Sequence, residues 1–477
     1  MKTKWVATQN AGKFRAVSRY LIHRSSLLLT SMVLLLILSC AKSDDLEPVD
    51  NELLVASQKA SKQELAHMVL VWNKAMQDLY TFPKGVGTPP ISTAYTWSLV
   101  HLAMHDALNS ITPRYETYAT VSRDKDADPD AAVAQAAYDV IMAVNQLPFA
   151  FAFVPQNLTS INTLLETTLD AIPDGDAKTR GIAQGHAVAQ AVMAKRASDL
   201  PHLGLFSPNQ PADGTQPGEY RHLQFNGTAT SPKGFAFPNF HNLQPFFMTE
   251  NDMLRPDPPY PVDSPEYALD FNEVKAIGAD NSLVRTADQT EIGIFWAENS
   301  NRAWNDVARK VLESYNPQSQ NAWKTARYFA LIHGAIVDSY ISTTESKRYY
   351  YSWRPISAIQ LADTDGNDNT VADPNWAPLF LTAPVPEYPS VHAFTGGATA
   401  QIIYRIFDNK DNYNFERTSG YLPGVVRTFS SISDAVRENS LSHLYIGYHF
   451  RQAIDVGEDL GKALGDYVYE NALKEKY

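Results

Sequence analysis

The chain has 477 residues, 44% hydrophobic and 19% charged, with a formal net charge of −12 at neutral pH. That length and apolar content exclude disorder as the general state and allow two or more helical layers around a large core. The acidic balance excludes a nucleic-acid binder working through a basic surface, and a single cysteine excludes any intramolecular disulfide.

In chain order, the first element is a targeting segment. Lys2, Lys4, Lys13, Arg15, Arg19 and Arg24 precede or flank the start of an apolar run over 27–38, with no acidic residue before Cys40. This order predicts a secretory signal over residues 1–39. The run is short for a bilayer span and ends in Ile37-Leu38-Ser39-Cys40, which resembles the cleavage box of bacterial lipoproteins. Cys40 is therefore the expected site of lipidation; the alternative is a signal-anchor helix with an incidental cysteine. The expectation is an exported, membrane-anchored lipoprotein of the bacterial periplasm or outer surface. Taking the six leading positive charges from −12 leaves −18 on the mature chain, so any anion site must be built locally from positive groups.

Residues 40–62 read as a polar, acidic tether. Apolar residues recur at helical spacing over 65–79, 95–111 and 130–144, within a helical region spanning 63–198. Residues 199–261 are dense in Pro, Gly, Asn and aromatics and predict a long irregular connection packed on the surface. A helical oxyanion-binding domain is expected over 262–477, with helices at 267–277, 290–315, 321–343, 392–406, 428–446 and 450–472 and a second loop at 362–388. Strand-like alternation is scarce, so the fold class is all-α, built as two helical bundles with long irregular connections.

Three segments of the C-terminal half carry candidate chemistry. Lys347 and Arg354 stand seven residues apart before Pro355; on a helix both would project from one face and close on one anion. Ser390-Val391-His392 opens a helix-forming stretch, where a hydroxyl and free backbone N–H groups bind an oxyanion and His392 can donate a proton. Ser442-His443 and then Gly447-Tyr448-His449 offer a histidine able to attack or ligate the centre of that anion. Each segment alone is weak, since paired cations are usually a solvated face, single histidines are usually core residues, and Pro-Ser before a helix is an ordinary cap. Their order changes the odds, because each supplies a different part of one oxyanion cage.

The pattern of Lys, six residues and Arg-Pro, then Pro-Ser-X-His, then Ser, four residues, Gly-X-His resembles the signature shared by type 2 phosphatidic acid phosphatases and vanadium-dependent haloperoxidases. Ser264-Pro265-Glu266-Tyr267, Phe271-Asn272-Glu273-Val274, Asp373-Pro374-Asn375-Trp376 and Met104-His105-Asp106 are similar to its haloperoxidase-like bacterial branch. The resemblance implies a vanadate cofactor with His449 as its axial ligand, or, in a phosphatase without vanadate, His449 as the nucleophile toward a phosphomonoester. It implies that Lys347, Arg354, Ser390 and the positions of Val391 and His443 hold the oxygens, and that His392 is the acid–base group. In the haloperoxidase reading, hydrogen peroxide oxidises a halide with help from Lys347, and a small organic acceptor is halogenated.

Two positions depart from the pattern. The family carries Arg where His443 stands and Gly where Val391 stands. An imidazole lacks the two-pronged contact of a guanidinium, and a β-branched residue shields its own N–H. Arg437 and Arg451 are candidates to supply the missing charge. These departures support a third reading, a lipoprotein that binds an anion or a partner without catalysis.

Three further features compete with these. His101 and His105, beside Asp106, have metal-ligand spacing but no third ligand close in sequence, so core packing is expected. The segment from Asp363 to Asp368 opens like a calcium loop, but Pro374 stands where the closing glutamate belongs, so a hydrogen-bonded turn is expected. Tyr349, Tyr350, Tyr351 and Trp353, beside the two cations, either line a halide or substrate pocket or simply pack.

Overall fold

A computed structural model of the chain describes residues 66–79, 89–147, 155–208, 210–224, 233–315 and 321–476, all within one compact unit over 56–477. The signal segment, Cys40 and the tether lie outside the described residues. The described chain is mostly helical, as the scarcity of alternating segments predicts. Among the described residues, no helix is long and apolar enough to cross a membrane.

The N-terminal half holds α1 (Ala66–Leu79), α2 (Pro90–Ile111), α3 (Pro129–Val144), α4 (Pro155–Asp170) and α5 (Asp176–Lys195). Every residue of α2 after Pro90 is buried. Proline suits that first position because the N–H it lacks would have no helical partner. Asp128 caps α3 by accepting from Ala131 N. Helices α4 and α5 have no counterpart among the segments read from apolar spacing. The buried face of α5 is Gly181, Gln184, Gly185, Val188, Ala189 and Val192, too small and polar to print an apolar period on the sequence.

Among its described residues, the irregular connection contains a two-stranded ladder, β1 (Leu223–Gln224) against β2 (Lys233–Gly234), and short 3-10 turns at Ala197–His202 and Phe240–Asn242. The buried carboxylate of Asp338 ties it to the helices by accepting from the backbone N–H groups of Phe246, Phe247 and Met248 at 2.6, 2.7 and 2.9 Å.

The C-terminal half holds α6 (Pro265–Ile277), α7 (Ala287–Trp296), α8 (Ser300–Ser314), α9 (Ala322–Tyr350), α10 (Pro355–Gln360), α11 (Val391–Ile406), the hairpin β3 (Phe415–Ser419) and β4 (Leu422–Phe429), α12 (Ile432–Tyr445) and α13 (Arg451–Asn471). Helix α9, 29 residues and so about 44 Å long, is shared: it packs on α2 and α1 of the first half and on α11 and α13 of the second. Helices α11 and α13 meet most closely. Gly457 and Gly461 permit this, because a Cβ there would lie 2.5 Å from Ser390 O and 2.3 Å from Phe394 O.

Three expected boundaries are corrected. The helix expected over 290–315 is two, broken at Ala297 to Asn299, where Asn299 caps α8. Residues 428 and 429, expected to open a helix, end strand β4, and α12 starts at Ile432. Helix α9 runs on past residue 343 to Tyr350, carrying Lys347 in its last turn.

Candidate functional site

Lys347 and Arg354 do meet, but not on a common helix face. Helix α9 stops at Tyr350; Tyr351 adopts a left-handed conformation (φ 47°) and donates its N–H to Lys347 O. The helix ends there, and extended Arg354 becomes the residue preceding α10, with Pro355 at that helix's first position. The break between two helices, rather than helical periodicity, brings the two cations to one place.

What they grip is a strap of backbone. Lys347 Nζ donates to Pro386 O and Glu387 O at 2.7 and 2.5 Å, and Arg354 Nε donates to Val385 O at 2.8 Å. From the other side, Glu387 N donates to Ser352 O at 3.0 Å and Tyr388 N to Ser352 Oγ at 3.2 Å. The strap runs directly into Ser390, whose hydroxyl caps α11 by accepting from Ala393 N and whose own N–H donates to Ala453 O of α13 at 3.0 Å. Val391, half-buried, is the first residue of that helix, and His392 lies buried in its first turn.

The third wall is the turn after α12. Gly447 has φ 79°, and a Cβ on it would lie 2.6 Å from Gly278 O, so glycine is required both for the turn and for the approach. The turn directs His449 inward, where its Nε2 lies 3.1 Å from Arg354 Nη1; the same guanidinium nitrogen donates to Tyr448 O at 2.9 Å. The rings of His392, His443 and His449 stand parallel. His443 stacks on His392 with centroids 3.9 Å apart, and His449 follows at 5.7 Å, both at 9°. Glu387 completes the group: its Oε1 lies 2.9 Å from His449 Nδ1 and accepts from Phe450 N at 3.0 Å.

Burial sets the charge state. It pushes His392 down to about 3 and, with Arg354 and Lys347 close by, holds His443 and His449 well below the usual imidazole range. All three rings are therefore neutral at physiological pH. Burial and the neighbouring guanidinium also pull Lys347 well down, opposed by Glu387, while burial raises the Glu387 carboxyl to about 7. Two ring nitrogens, His392 Nε2 and His443 Nδ1, are buried without a hydrogen-bond partner. Two cations, neutral imidazoles with spare nitrogens, and a serine at a helix start form a donor set for a compact oxyanion.

The structure brings Lys347, Arg354, Ser390, His392, His443 and His449 to one buried locus. It does not bring Arg437 or Arg451 there: Arg437 pairs with Asp455 and Arg451 with Glu273, so neither replaces the missing guanidinium. Glu387 was missed by sequence reasoning. The available signal was weak: it is the one acid in the strap over 377–390, set between Pro386 and Pro389.

The competing features resolve into packing. His101 spends its nitrogens on Asn73 and Trp97 O, and His105 on Asp106 and Asn109. Asp365 accepts from Asn367 N and Thr370 Oγ1, a hydrogen-bonded turn closed through Gly366 at φ 74°. Tyr350 and Tyr351 hold the irregular connection through Pro256 O and Ala212 O, Trp353 is buried, and Tyr349 faces outward.

Three comparisons bear on this arrangement. A family profile described as the VCPO second helical-bundle domain matches residues 327–475, the span that contains every residue of the cluster. A vanadium chloroperoxidase of Curvularia inaequalis is 25% identical over 496 aligned positions, covering 80% of this chain and 78% of that protein. The crystal structure of a bacterial vanadium-dependent iodoperoxidase superposes with a TM-score of 0.69 at 20% identity, over 86% of this chain and 98% of that one. That of a holo-type bacterial vanadium-dependent chloroperoxidase gives 0.63 at 16% identity, over 80% and 91%. At these identities the structural likeness establishes the fold.

Proposed function

Since the chain belongs to the vanadium-dependent haloperoxidase family of enzymes, we propose that its buried cluster binds vanadate at His449 Nε2 and oxidises halide with hydrogen peroxide. The observation that carries this reading is the placement of Arg354 Nη1 3.1 Å from His449 Nε2, inside a buried group where His392 Nε2 and His443 Nδ1 have no partner. Orphaned buried nitrogens beside paired cations suit an oxyanion better than they suit each other.

Each residue then has a task. Lys347 Nζ has three N–H donors and spends two on the strap, leaving one for an oxygen of the anion. Arg354 anchors the strap with Nε and Tyr448 O with Nη1, and has N–H donors left for the anion. Ser390, at the start of α11, adds a hydroxyl and the positive end of the helix dipole. His392, neutral and with a free Nε2, is placed to accept or return a proton. Burial of the whole set excludes bulk water and strengthens these contacts. Vanadate held there supplies a Lewis-acidic centre that activates peroxide toward halide.

A phosphatase would use His449 Nε2 as nucleophile on the same donors, so the test separates the two. Mature protein loaded with vanadate is assayed for iodide and bromide oxidation by peroxide, and without vanadate for hydrolysis of an aryl phosphate. Vanadate-dependent halide oxidation, abolished by His449→Ala, is the expected result. Phosphate hydrolysis alone would replace the haloperoxidase with the phosphatase, and silence in both assays would leave an anion-binding protein. The signal segment ending at Cys40 supports an exported, lipid-anchored location; Cys40→Ser should move the protein from the membrane to the soluble fraction, and an unchanged distribution would refute the anchor.

A further inference from the structure

We infer that Glu387 is a positioning residue that fixes both the orientation and the tautomer of His449. One oxygen, Oε1, accepts from the ring at Nδ1 (2.9 Å) and from the next backbone N–H, that of Phe450 (3.0 Å). Side chain and main chain of the same turn are thus tied to a single atom, which leaves the imidazole little freedom to rotate or flip.

The carboxylate is itself immobilised. Its residue belongs to the strap whose carbonyls at Val385, Pro386 and Glu387 are gripped by Arg354 and Lys347, and whose N–H at Glu387 is bonded to Ser352 O. A single piece of chain therefore sets the spacing between both cations and the histidine. Among the described residues, no other carboxylate is recorded in hydrogen-bond contact with Lys347, Arg354 or His449.

The tautomer follows from the partners. A neutral imidazole has one N–H to give. The carboxylate accepts it at Nδ1, so the lone pair is left on Nε2. The second contact agrees: Arg354 Nη1, which can only donate, sits nearer Nε2 (3.1 Å) than Nδ1 (3.5 Å), which favours Nε2 as the acceptor. In the opposite tautomer the ring would point an N–H at the guanidinium and present no lone pair toward the cations. Only the first form can ligate or attack an electrophilic centre through Nε2. The functional meaning of this rests on the reading that Nε2 is the ligand or nucleophile; the tautomer itself does not.

The test uses the mature protein labelled with 15N-histidine, the His449 ring signals being assigned by their loss in His449→Ala. The wild type is expected to show His449 protonated at Nδ1. Glu387→Ala should shift the ring to the Nε2-protonated form or a mixture and lower vanadate affinity, measured calorimetrically, by about 10- to 100-fold. Glu387→Gln, which retains an acceptor oxygen, should keep the wild-type tautomer and recover most of the affinity, a rescue that loss of bulk alone would not produce. A wild-type His449 protonated at Nε2 would overturn the inference even if the alanine variant failed to fold. So would an alanine variant with unchanged ring signals and unchanged affinity. If the tautomer switches as expected but the wild type takes up no vanadate, Glu387 keeps its role and the vanadate reading falls.

Discussion

Replacing Gly457 by alanine tests whether α13 holds the oxyanion end of α11 in place. Gly457, Gly461 and Gly465 recur every fourth residue along α13 and face α11. A Cβ at 457 would lie 2.5 Å from Ser390 O and 3.3 Å from Ala393 Cβ; at 465 it would lie 2.6 Å from Gln401 Cβ and 2.8 Å from Ala398 O. In an uncrowded helix, glycine to alanine gains about 1 kcal/mol. Overpacking a close contact costs about 1–3 kcal/mol, and a backbone carbonyl cannot swing aside as a side chain can. The net expectation is therefore a loss of up to about 2 kcal/mol for either substitution. Their effects on the site should differ. Relieving the contact at 457 moves the Ser390 carbonyl, and with it the hydroxyl and the start of α11, by most of an ångström. Misplacement on that scale costs up to about 100-fold in a preorganised site. Gly465→Ala strains α11 two turns farther along and should leave affinity little changed. Urea unfolding gives the stabilities and calorimetric titration with vanadate the affinities. A gain in stability at 457, or an equal loss of affinity in both variants, would refute the argument.

Asp338→Ala should destabilise the protein by about 3 kcal/mol, because it strands two buried backbone donors, at Phe246 and Met248, and a part-buried one at Phe247. Limited proteolysis should then cut first within 199–261, and a variant as stable and as resistant as the parent would sink this reading. The rings of His333 and His101 lie 4.2 Å apart in the core, tilted by 30°, and burial holds His333 well below its usual range and His101 at about 4. Both are neutral in the fold, whereas an unfolded imidazole takes up its proton near pH 6.5. Their stabilising contribution is thus complete above that pH and lost as pH falls toward 4. His333→Asn should remove one such term, losing about 2 kcal/mol less than the parent between pH 7 and pH 5. Equal losses in urea unfolding at the two pH values would contradict it.

Periodicity made α1, α2, α3, α9 and α11 readable, because each buries an apolar or alanine-rich face of ordinary kind. Beside α4 and α5, two errors fall where a charged residue is inside. Strand β3 alternates buried and exposed from Phe415 to Ser419, but its central inward residue is Arg417, which reads as a surface position. Its guanidinium is packed on Trp296 and paired with Glu298. Glu298 lies in the break between α7 and α8, a stretch with neither glycine nor proline to announce it. One buried ion pair therefore joins the missed strand to the missed break.

The functional cluster was legible as an order of residue types, because Lys, Arg-Pro, Pro-Ser-X-His and Gly-X-His each keep their parts close in sequence. How the cations converge was not, since the seven-residue spacing fits a helix face while the left-handed turn at Tyr351 does the work instead. Glu387 was invisible for a different reason: its meaning depends on His449, 62 residues away. His443 shows the limit of reading a departure as a loss. Measured against arginine it lacks a fixed charge, and its burial beside Arg354 and Lys347 keeps it neutral. In the fold, however, its ring lies parallel to those of both His392 and His449, 3.9 and 5.7 Å away. A guanidinium there would add positive potential, and its longer stem would change how the two flanking rings pack. With an imidazole, the positive potential of the site falls to Lys347 and Arg354 alone, opposed by Glu387, and ring order is set by stacking rather than by charge.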